Sequence, residues 1–363
     1  MRPEYRRLQP GIVVRIEGDD GTRYGAFMFN PHSLIAARRL DRNPESPLDD
    51  GWLRRKLEAA IALRRRVIAD PRYCRIVHAE ADGLPGLIVD RYGDVAVLQA
   101  NTAGMDLWQE SITSTLSELL PLRAIVARND SGARRQERLD ESVDLLTGTD
   151  AKTEAVEGGV RFPVDPLAGQ KTGFFYDQRP NRDLVAGLAG GARMLDVFAH
   201  TGAFGLRCAA AGATEVLLVD SSQPALDAAM VAAAINGVTS RVRTRRGDAF
   251  DLLADMAGER FDIVVADPPA FAKSKKDAEA GLRAYGRLAR LAAGLVSPGG
   301  LLFTASCSHH APLDAWAAQI AWGLARARRE GRVLYTGGAG PDHPVHPHLP
   351  ETAYLKVQLL QLD

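Results

Sequence analysis

Short apolar runs broken by glycine open the chain. Gly11-Ile12-Val13-Val14-Arg15-Ile16, a Gly18-Asp19-Asp20-Gly21 turn and Arg23 to Phe29 predict a β-hairpin, with a further short strand from Leu34 to Leu40. Asn43-Pro44-Glu45-Ser46-Pro47 interrupts this pattern. Trp52, Leu53, Leu57, Ala60, Ile61 and Ile68 then recur at helical spacing and predict a helix that stops by Asp70-Pro71. From Arg75 to about Phe162 the pattern is strand-rich, with turns at Gly83-Leu84-Pro85-Gly86 and Gly93, one helix near Met105–Leu120 and a strand at Ala124–Ala127. After Gly169 the rhythm becomes a strict alternation. Strands are predicted at Met194–Val197, Glu215–Val219, Val242–Arg245, Phe261–Ala266 and Leu301–Thr304, and helices near Phe204–Ala211, Gln223–Asn236, Ala249–Met256, Ala278–Leu295 and Leu313–Arg329. That alternation predicts a doubly wound, Rossmann-like α/β sheet. Two late strands, Val333–Thr336 and Ala353–Leu360, have no helix between them, so the last is expected to enter antiparallel.

The expected division is a small β-rich module at 1–46, a linker helix at 47–71, a small α+β domain at 72–165 and the α/β domain at 166–363. At 363 residues, 46% hydrophobic and 25% charged, the chain has the composition of an ordinary globular protein of two or three domains. It carries 45 basic and 45 acidic residues, which excludes a histone-like polyanion binder. Residues 1–66 nevertheless hold 14 Lys/Arg against 9 Asp/Glu. Within them Arg54-Arg55-Lys56 and Arg64-Arg65-Arg66 read either as phosphate contacts or as a solvated helix face. Arg134-Arg135-Gln136-Glu137-Arg138 reads either as a nucleic-acid contact or as an ordinary exposed loop. No run of about 18 apolar residues is present and Met1-Arg2-Pro3-Glu4-Tyr5-Arg6-Arg7 leads into no signal-peptide core, so a cytoplasmic protein without a membrane partner is expected. Cys74, Cys208 and Cys307 are too few and scattered for a disulfide framework or zinc cluster. His343, His346 and His348 fit no common zinc spacing, so no metal is expected.

Candidate chemistry gathers at the predicted strand ends. Asp196-Val197-Phe198-Ala199-His200-Thr201-Gly202-Ala203-Phe204-Gly205 joins the first strand to a helix and contains no G-x-G-x-x-G dinucleotide fingerprint. Asp220 ends the next strand, where a carboxylate can accept two ribose hydroxyls. Asp248 ends the third, where it and the Ala249 amide can meet an adenine edge. Acids at three consecutive strand ends predict S-adenosyl-L-methionine as cofactor, bound by Asp196, Phe198, Thr201, Gly202, Gly205, Asp220, Asp248, Ala249 and Asp267. Asp267-Pro268-Pro269 is either a stiff turn or, with Phe271 to stack and Lys273 beside it, a site for a nucleobase. Cys307 follows Leu301-Leu302-Phe303-Thr304-Ala305-Ser306, which places a thiol at the ligand rim, where His309, His310 and Lys273 can favour the thiolate. Cys74 and Cys208 read as buried small hydrophobes.

Several longer stretches are more specific. Asp-Gly-Leu-Pro-Gly-Leu-Ile-Val-Asp-Arg at 82–91, Gln-Lys-Thr-Gly-Phe-Phe-Tyr-Asp-Gln-Arg at 170–179, Asp-Pro-Pro-Ala-Phe-Ala-Lys-Ser-Lys at 267–275, Ser-Cys-Ser-His-His at 306–310, Asp-His-Pro-Val at 342–345 and Pro-Glu-Thr-Ala-Tyr-Leu-Lys at 350–356 occur in this order. In them the chain resembles the ribosomal large-subunit methyltransferase I family from about Gly11 onward. The resemblance implies a class I methyltransferase making 5-methylcytosine in 23S rRNA. It also implies a PUA-type RNA-binding module at 1–46, shortened because family members carry further residues and a His-Pro-Trp-like segment before the equivalent of Gly11. The implied partner is 23S rRNA or a large-subunit assembly intermediate, with a homodimer as one admissible assembly.

Cytosine C5 is a poor nucleophile, so the chemistry calls for a thiolate, Cys307, adding at C6 while Asp267 holds N3 and the exocyclic amine. The base for the final proton is unassigned between His309 and His310. A methyltransferase acting on an exocyclic base amine, which needs no thiol, and a noncatalytic protein binding the methionine cofactor or RNA both remain open at this level.

Overall fold

A computed structural model describes residues 3–169 and 173–363, so the Gln170-Lys171-Thr172 part of the longest motif lies outside the described residues. The chain divides into two compact units: one of Met1–Ala155, Val164–Tyr176 and Pro341–His348, the other of Val156–Pro163, Asp177–Gly340 and Leu349–Asp363.

In the first unit, β1 (Ile12–Glu17), β2 (Arg23–Phe29) and β3 (Ala37–Asp41) form a three-stranded antiparallel sheet. Helix α1 (Asp50–Val67) follows, its first turn closed by the Asp49 carboxylate accepting from the Trp52 amide at 2.9 Å. A mixed five-stranded sheet orders β4 (Tyr73–His78), β5 (Leu87–Tyr92), β6 (Val95–Ala100), β7 (Ala124–Asn129) and β8 (Ser142–Thr147) as 4-5-6-7-8. Trp52, Leu53, Leu57, Ala60 and Ile61 of α1 share a buried core with Ile76, Val89 and Leu98 of this sheet, and Met28 and Leu40 of the small sheet join them. A core of that size gives the small sheet an apolar support that three strands cannot supply alone.

Three expectations change here. The single helix near Met105–Leu120 is two helices, α2 (Ala103–Leu107) and α3 (Gln109–Leu119), joined at Trp108, whose ring packs edge-on against Trp52 at 5.6 Å. The stretch 134–138 is not an exposed loop. Residues 134–137 lie in α4 (Gly132–Glu137) and Arg138 caps its end, with Arg134 and Glu137 buried; Arg134 donates to Asp106 at 2.8 Å, and Glu137 accepts from Asn30 at 2.8 Å. Arg64 is also buried, 0% exposed, and donates to both Asp82 oxygens at 2.5 and 2.8 Å, to Arg75 O and to Asp342 O. It therefore cannot track phosphates; Arg65 and Arg66 are exposed. The Asp-His-Pro-Val segment closes this cluster, because the buried Asp342 carboxylate accepts the Arg75 amide and pairs with His343. Burial, reinforced by Arg75 and His343, holds the pKa of neighbouring His78 down to about 2.

The chain leaves the first unit within the hairpin β9 (Thr153–Glu157)–β10 (Val160–Val164). In the second unit, helix α5 (Arg179–Ala186) is absent from the apolar pattern for a physical reason: its buried face mixes Val185 and Ala186 with the polar Asn181 and Arg182. Arg182 is 2% exposed and donates to Glu157 at 2.6 and 2.7 Å, and Asn181 is 0% exposed. Then β11 (Arg193–Val197), α6 (Ala203–Ala210), β12 (Glu215–Asp220), α7 (Gln223–Ile235), β13 (Val242–Arg246), α8 (Ala249–Asp255), β14 (Phe261–Ala266), α9 (Ala278–Ala293), β15 (Val296–Ser306), α10 (Leu313–Arg326), β16 (Gly331–Gly337) and β17 (Lys356–Leu362) build one sheet of order 13-12-11-14-15-17-16. The first five of these neighbours are parallel, and β17 enters antiparallel to both β15 and β16, as the missing crossover helix predicts. The strand order reverses at β11 and β14, where open α/β sheets leave a crevice at the carboxyl ends of their strands.

Arg64→Ala is expected to lower the unfolding free energy by about 3–5 kcal/mol, because it strands the buried Asp82 carboxylate. Arg65→Ala should stay within about 0.5 kcal/mol. Urea unfolding of both variants checks the contrast.

Candidate active site

The β11–α6 connection is the most strained backbone in the second unit. Phe198, His200 and Gly202 have φ of 63°, 50° and 74°. Two non-glycine residues in the left-handed region cost energy, and such strain concentrates where a ligand must be met. Gly202 needs its lack of a side chain twice over, since a Cβ there would also lie 2.8 Å from Leu218 Cδ1. Gly205 answers to packing, because a Cβ would lie 2.3 Å from Leu218 Cδ2 as α6 rests on β12. Its amide donates to Asp196 Oδ2 at 2.9 Å. Thr201 is half-buried in the same turn.

The three strand-end acids stand in three different environments. Asp196 is 2% exposed, and burial pushes its pKa up to about 7, with the charges of Asp267 and Asp220 adding to the rise against the Gly205 hydrogen bond. Asp220, half-buried, accepts the His200 amide on one oxygen and the Ser222 amide on the other, both at 2.8 Å. Each oxygen keeps a lone pair for a further donor, which fits a ribose diol. Asp248 is the exposed N-cap of α8, accepting from Phe250 at 2.9 Å and Asp251 at 3.3 Å. That cap leaves the Ala249 N–H outside it. A strained glycine turn, an acceptor pair at Asp220 and an amide at Ala249 along consecutive strand ends fit an adenosyl cofactor.

Across the crevice, Asp267 follows β14 and accepts from Gln178 Nε2 at 2.9 Å. The Gln178 amide is itself oriented by Asn181, which donates to Gln178 Oε1 at 2.7 Å and to Gly338 O at 3.0 Å. Phe271 is half-buried among Phe198, Phe250 and Tyr285, with centroids at 6.2, 5.9 and 4.8 Å. Its ring thus belongs to an aromatic wall that also carries residues of the β11 and α8 loops. Lys273 is exposed.

Cys307 lies one residue past β15 and is half-buried, whereas Cys74 and Cys208 are fully buried. Burial raises the Cys208 thiol pKa further from reactivity. The loop around Cys307 is fixed from three sides. Ser308 Oγ lies 2.9 Å from the Tyr285 hydroxyl and accepts the Ala272 amide at 3.1 Å, which ties the thiol loop to the Asp267–Phe271 loop. Ser308 O accepts from Lys356 Nζ at 2.7 Å. Sequence reasoning assigned no role to Gln178, Tyr285 or Lys356; Gln178 and Lys356 were visible only as members of motifs. His309 stacks obliquely on Tyr354 at 5.9 Å, and partial enclosure lowers its pKa below the ordinary imidazole value. Among the described residues no group of His, Cys, Asp or Glu is arranged to hold a metal, and no helix is long and apolar enough to cross a membrane.

A family model for S-adenosylmethionine-dependent methyltransferases matches residues 110–330. A protein of Shewanella amazonensis named "Ribosomal RNA large subunit methyltransferase I" is 36% identical over 353 residues, 95% of this chain and 89% of that one. A protein of the same name from Aeromonas hydrophila is 37% identical over 358 residues, again 95% of this chain and 89% of its own. Among solved structures, a candidate SAM-dependent methyltransferase from Streptococcus mutans superposes with a TM-score of 0.83 at 20% identity, covering 97% of this chain and 92% of its own. A candidate methyltransferase complexed with SAH gives 0.85 at 20% identity over 98% and 93%. These two likenesses concern the fold.

The Asp196 carboxyl supplies a pH test. Its unfolded pKa is near 3.9 and its folded pKa about 7, so the folded state holds the extra proton between those values and stability falls as pH rises through that window. Asp196→Asn, whose carbonyl can still accept from Gly205, should therefore gain stability over the wild type from pH 4 to pH 8. The gain should be on the order of 2–4 kcal/mol. Denaturant unfolding across that range checks this; a constant difference would show that Asp196 ionises normally.

Proposed function

The chain belongs to the ribosomal RNA large subunit methyltransferase I family of S-adenosylmethionine-dependent methyltransferases, and we propose that it forms 5-methylcytosine in 23S rRNA through a Cys307 thiolate adduct at C6. Its cofactor is S-adenosylmethionine and its substrate an rRNA. The observation that supports the cytosine-C5 reading is the placement of Cys307. A half-exposed thiol follows β15, beside the acid that ends β14, on the rim that bears the strained turn.

Asp220 and the Ala249 amide would hold the ribose and adenine of the cofactor, beside the strained turn at 198–202. Bound there, the cofactor supplies an electrophilic sulfonium methyl. Cys307 adds as thiolate to C6 of the target cytosine, forming the S–C6 bond and shifting the C5=C6 electron pair so that C5 becomes enamine-like. Asp267, oriented by Gln178, accepts from the exocyclic amine on one oxygen and, carrying a proton on the other, donates to N3, where the adduct's negative charge develops. C5 would then use its electron pair to bond the methyl, the methyl–sulfur bond breaking with its pair left on the departing thioether. A loop imidazole, His309 or His310, then accepts the C5 proton, the C5=C6 bond re-forms and Cys307 departs as thiolate. A depressed imidazole pKa keeps His309 neutral, and so able to accept, at neutral pH.

Residues 1–46 act in this reading as the RNA-binding module and 72–165 as an intervening domain, with work in the cytoplasm on 23S rRNA or an assembling subunit, as a monomer or homodimer. Support comes from the basic excess of the first 66 residues and from exposed Arg39 and Arg42 on and beside β3. Deleting the module would be a poor test, since Met28 and Leu40 belong to the buried core. Charge reversal is cleaner: Arg39→Glu with Arg42→Glu should raise the RNA KM and flatten its logarithmic salt slope by about two. An unchanged slope would remove these residues from the RNA contact.

Cys307→Ala is expected to reduce methyl transfer by roughly 10⁴-fold or more while leaving cofactor affinity unchanged, and Cys74→Ala and Cys208→Ala should remain active. RNA carrying 5-fluorocytosine, which has no C5 proton to release, should trap a covalent complex on Cys307. Turnover surviving in a folded Cys307→Ala variant would instead establish methylation of an exocyclic amine.

A further inference from the structure

We propose that Lys356 is a positioning residue that holds the Cys307 loop and stabilises the Cys307 thiolate before it attacks. The inference deepens the adduct reading above and rests on it. Lys356 begins β17, and the antiparallel register sets it opposite Ser306, the last residue of β15. Its ammonium therefore rises beside the loop that starts at Cys307. Nζ donates to Ser308 O at 2.7 Å and to Tyr354 O at 2.9 Å, bracketing the thiol loop between two carbonyl anchors. Among the described residues no carboxylate pairs with this half-buried ammonium, although removing such a charge from water is costly without a counter-charge.

The titratable groups around Cys307 come from several elements: Tyr285 on α9, His309 and His310 on the loop, Asp267 past β14, and Lys356. Burial raises the Tyr285 pKa and keeps that phenol neutral, and enclosure lowers the His309 pKa. Burial lowers the Lys356 pKa too, and Cys307 opposes that shift, so the two groups lie within electrostatic reach of one another. The thiol thus loses its proton to solvent while Lys356 keeps its own, and the ion pair so formed gives the ammonium the counter-charge it lacks. A charge within a few ångströms moves a thiol pKa by one unit or more.

The test reads the thiol directly. Carbamidomethylation of Cys307 by iodoacetamide is followed by peptide mass spectrometry across pH 5–10 on the full chain. Lys356→Met should raise the apparent thiol pKa by about one unit or more, a roughly tenfold slower reaction at neutral pH, and Lys356→Arg should restore most of it. Cofactor affinity and thermal midpoint serve as folding controls. If Lys356→Met does not fold, Lys356→Gln, which keeps an N–H donor for the carbonyls without the charge, takes its place. An unchanged pH profile in a folded neutral variant overturns the proposal. Because alkylation needs no turnover, the outcomes separate: a shifted thiol with no 5-fluorocytosine adduct keeps Lys356 in its role and sinks the C5 reading, whereas an adduct with an unshifted profile sinks only the role of Lys356.

Discussion

The parallel register of β11, β14 and β15 is the constraint on which the rim depends. Val197 lies opposite Ala266, and Ala266 opposite Thr304, so Asp196 stands one residue before that level, Asp267 one residue past it and Cys307 three past it, all at the carboxyl edge of one sheet. Each is a short side chain whose usefulness depends on where its backbone ends. A slip of one residue in any of the three strands would turn that group to the opposite face. The buried strand interiors, Leu195, Val264 and Leu302 among them, hold this register by packing.

Polar burial carries more of the architecture than the balanced composition suggests. Arg64 with Asp82, and Arg182 with Glu157, are ion pairs shut away from water, each met through two hydrogen bonds. Burying a charge is tolerated only with such complete pairing, so these arginines fix geometry and contribute little to contact with a polyanion. The Gln178–Asn181 relay works similarly on a smaller scale. It orients Asp267 through a chain of amides that ends on a backbone carbonyl. Burial of Asp196, with the charge of Asp267 adding to it, is the counterpart of that order and raises this carboxyl's pKa to about 7.

The alternation of apolar strands and helices after Gly169 was legible without a structure, because burial on both faces of a parallel sheet demands continuous apolar runs. So were the acids that end β11, β12, β13 and β14, the thiol that follows β15 and the antiparallel last strand. The motif resemblance agrees with the family to which the chain belongs. Helix α5 gave no apolar periodicity because its inward face mixes Asn181 and Arg182 with only Val185 and Ala186, and α4 gave none because Arg134 and Glu137 look like solvent residues until their partners are known.

The sequence by itself therefore determined what local periodicity and chain order can encode: element type, sheet class, and which reactive groups stand at strand ends. Tertiary structure alone decided what depends on partners far along the chain. Arg64 became a buried clasp through Asp82 and Asp342, Phe271 joined an aromatic wall, and Lys356 came beside Cys307 through the pairing of β17 with β15. Those outcomes rest on register and long-range ion pairing, whose energies depend on burial and distance that appear only once the strands have met.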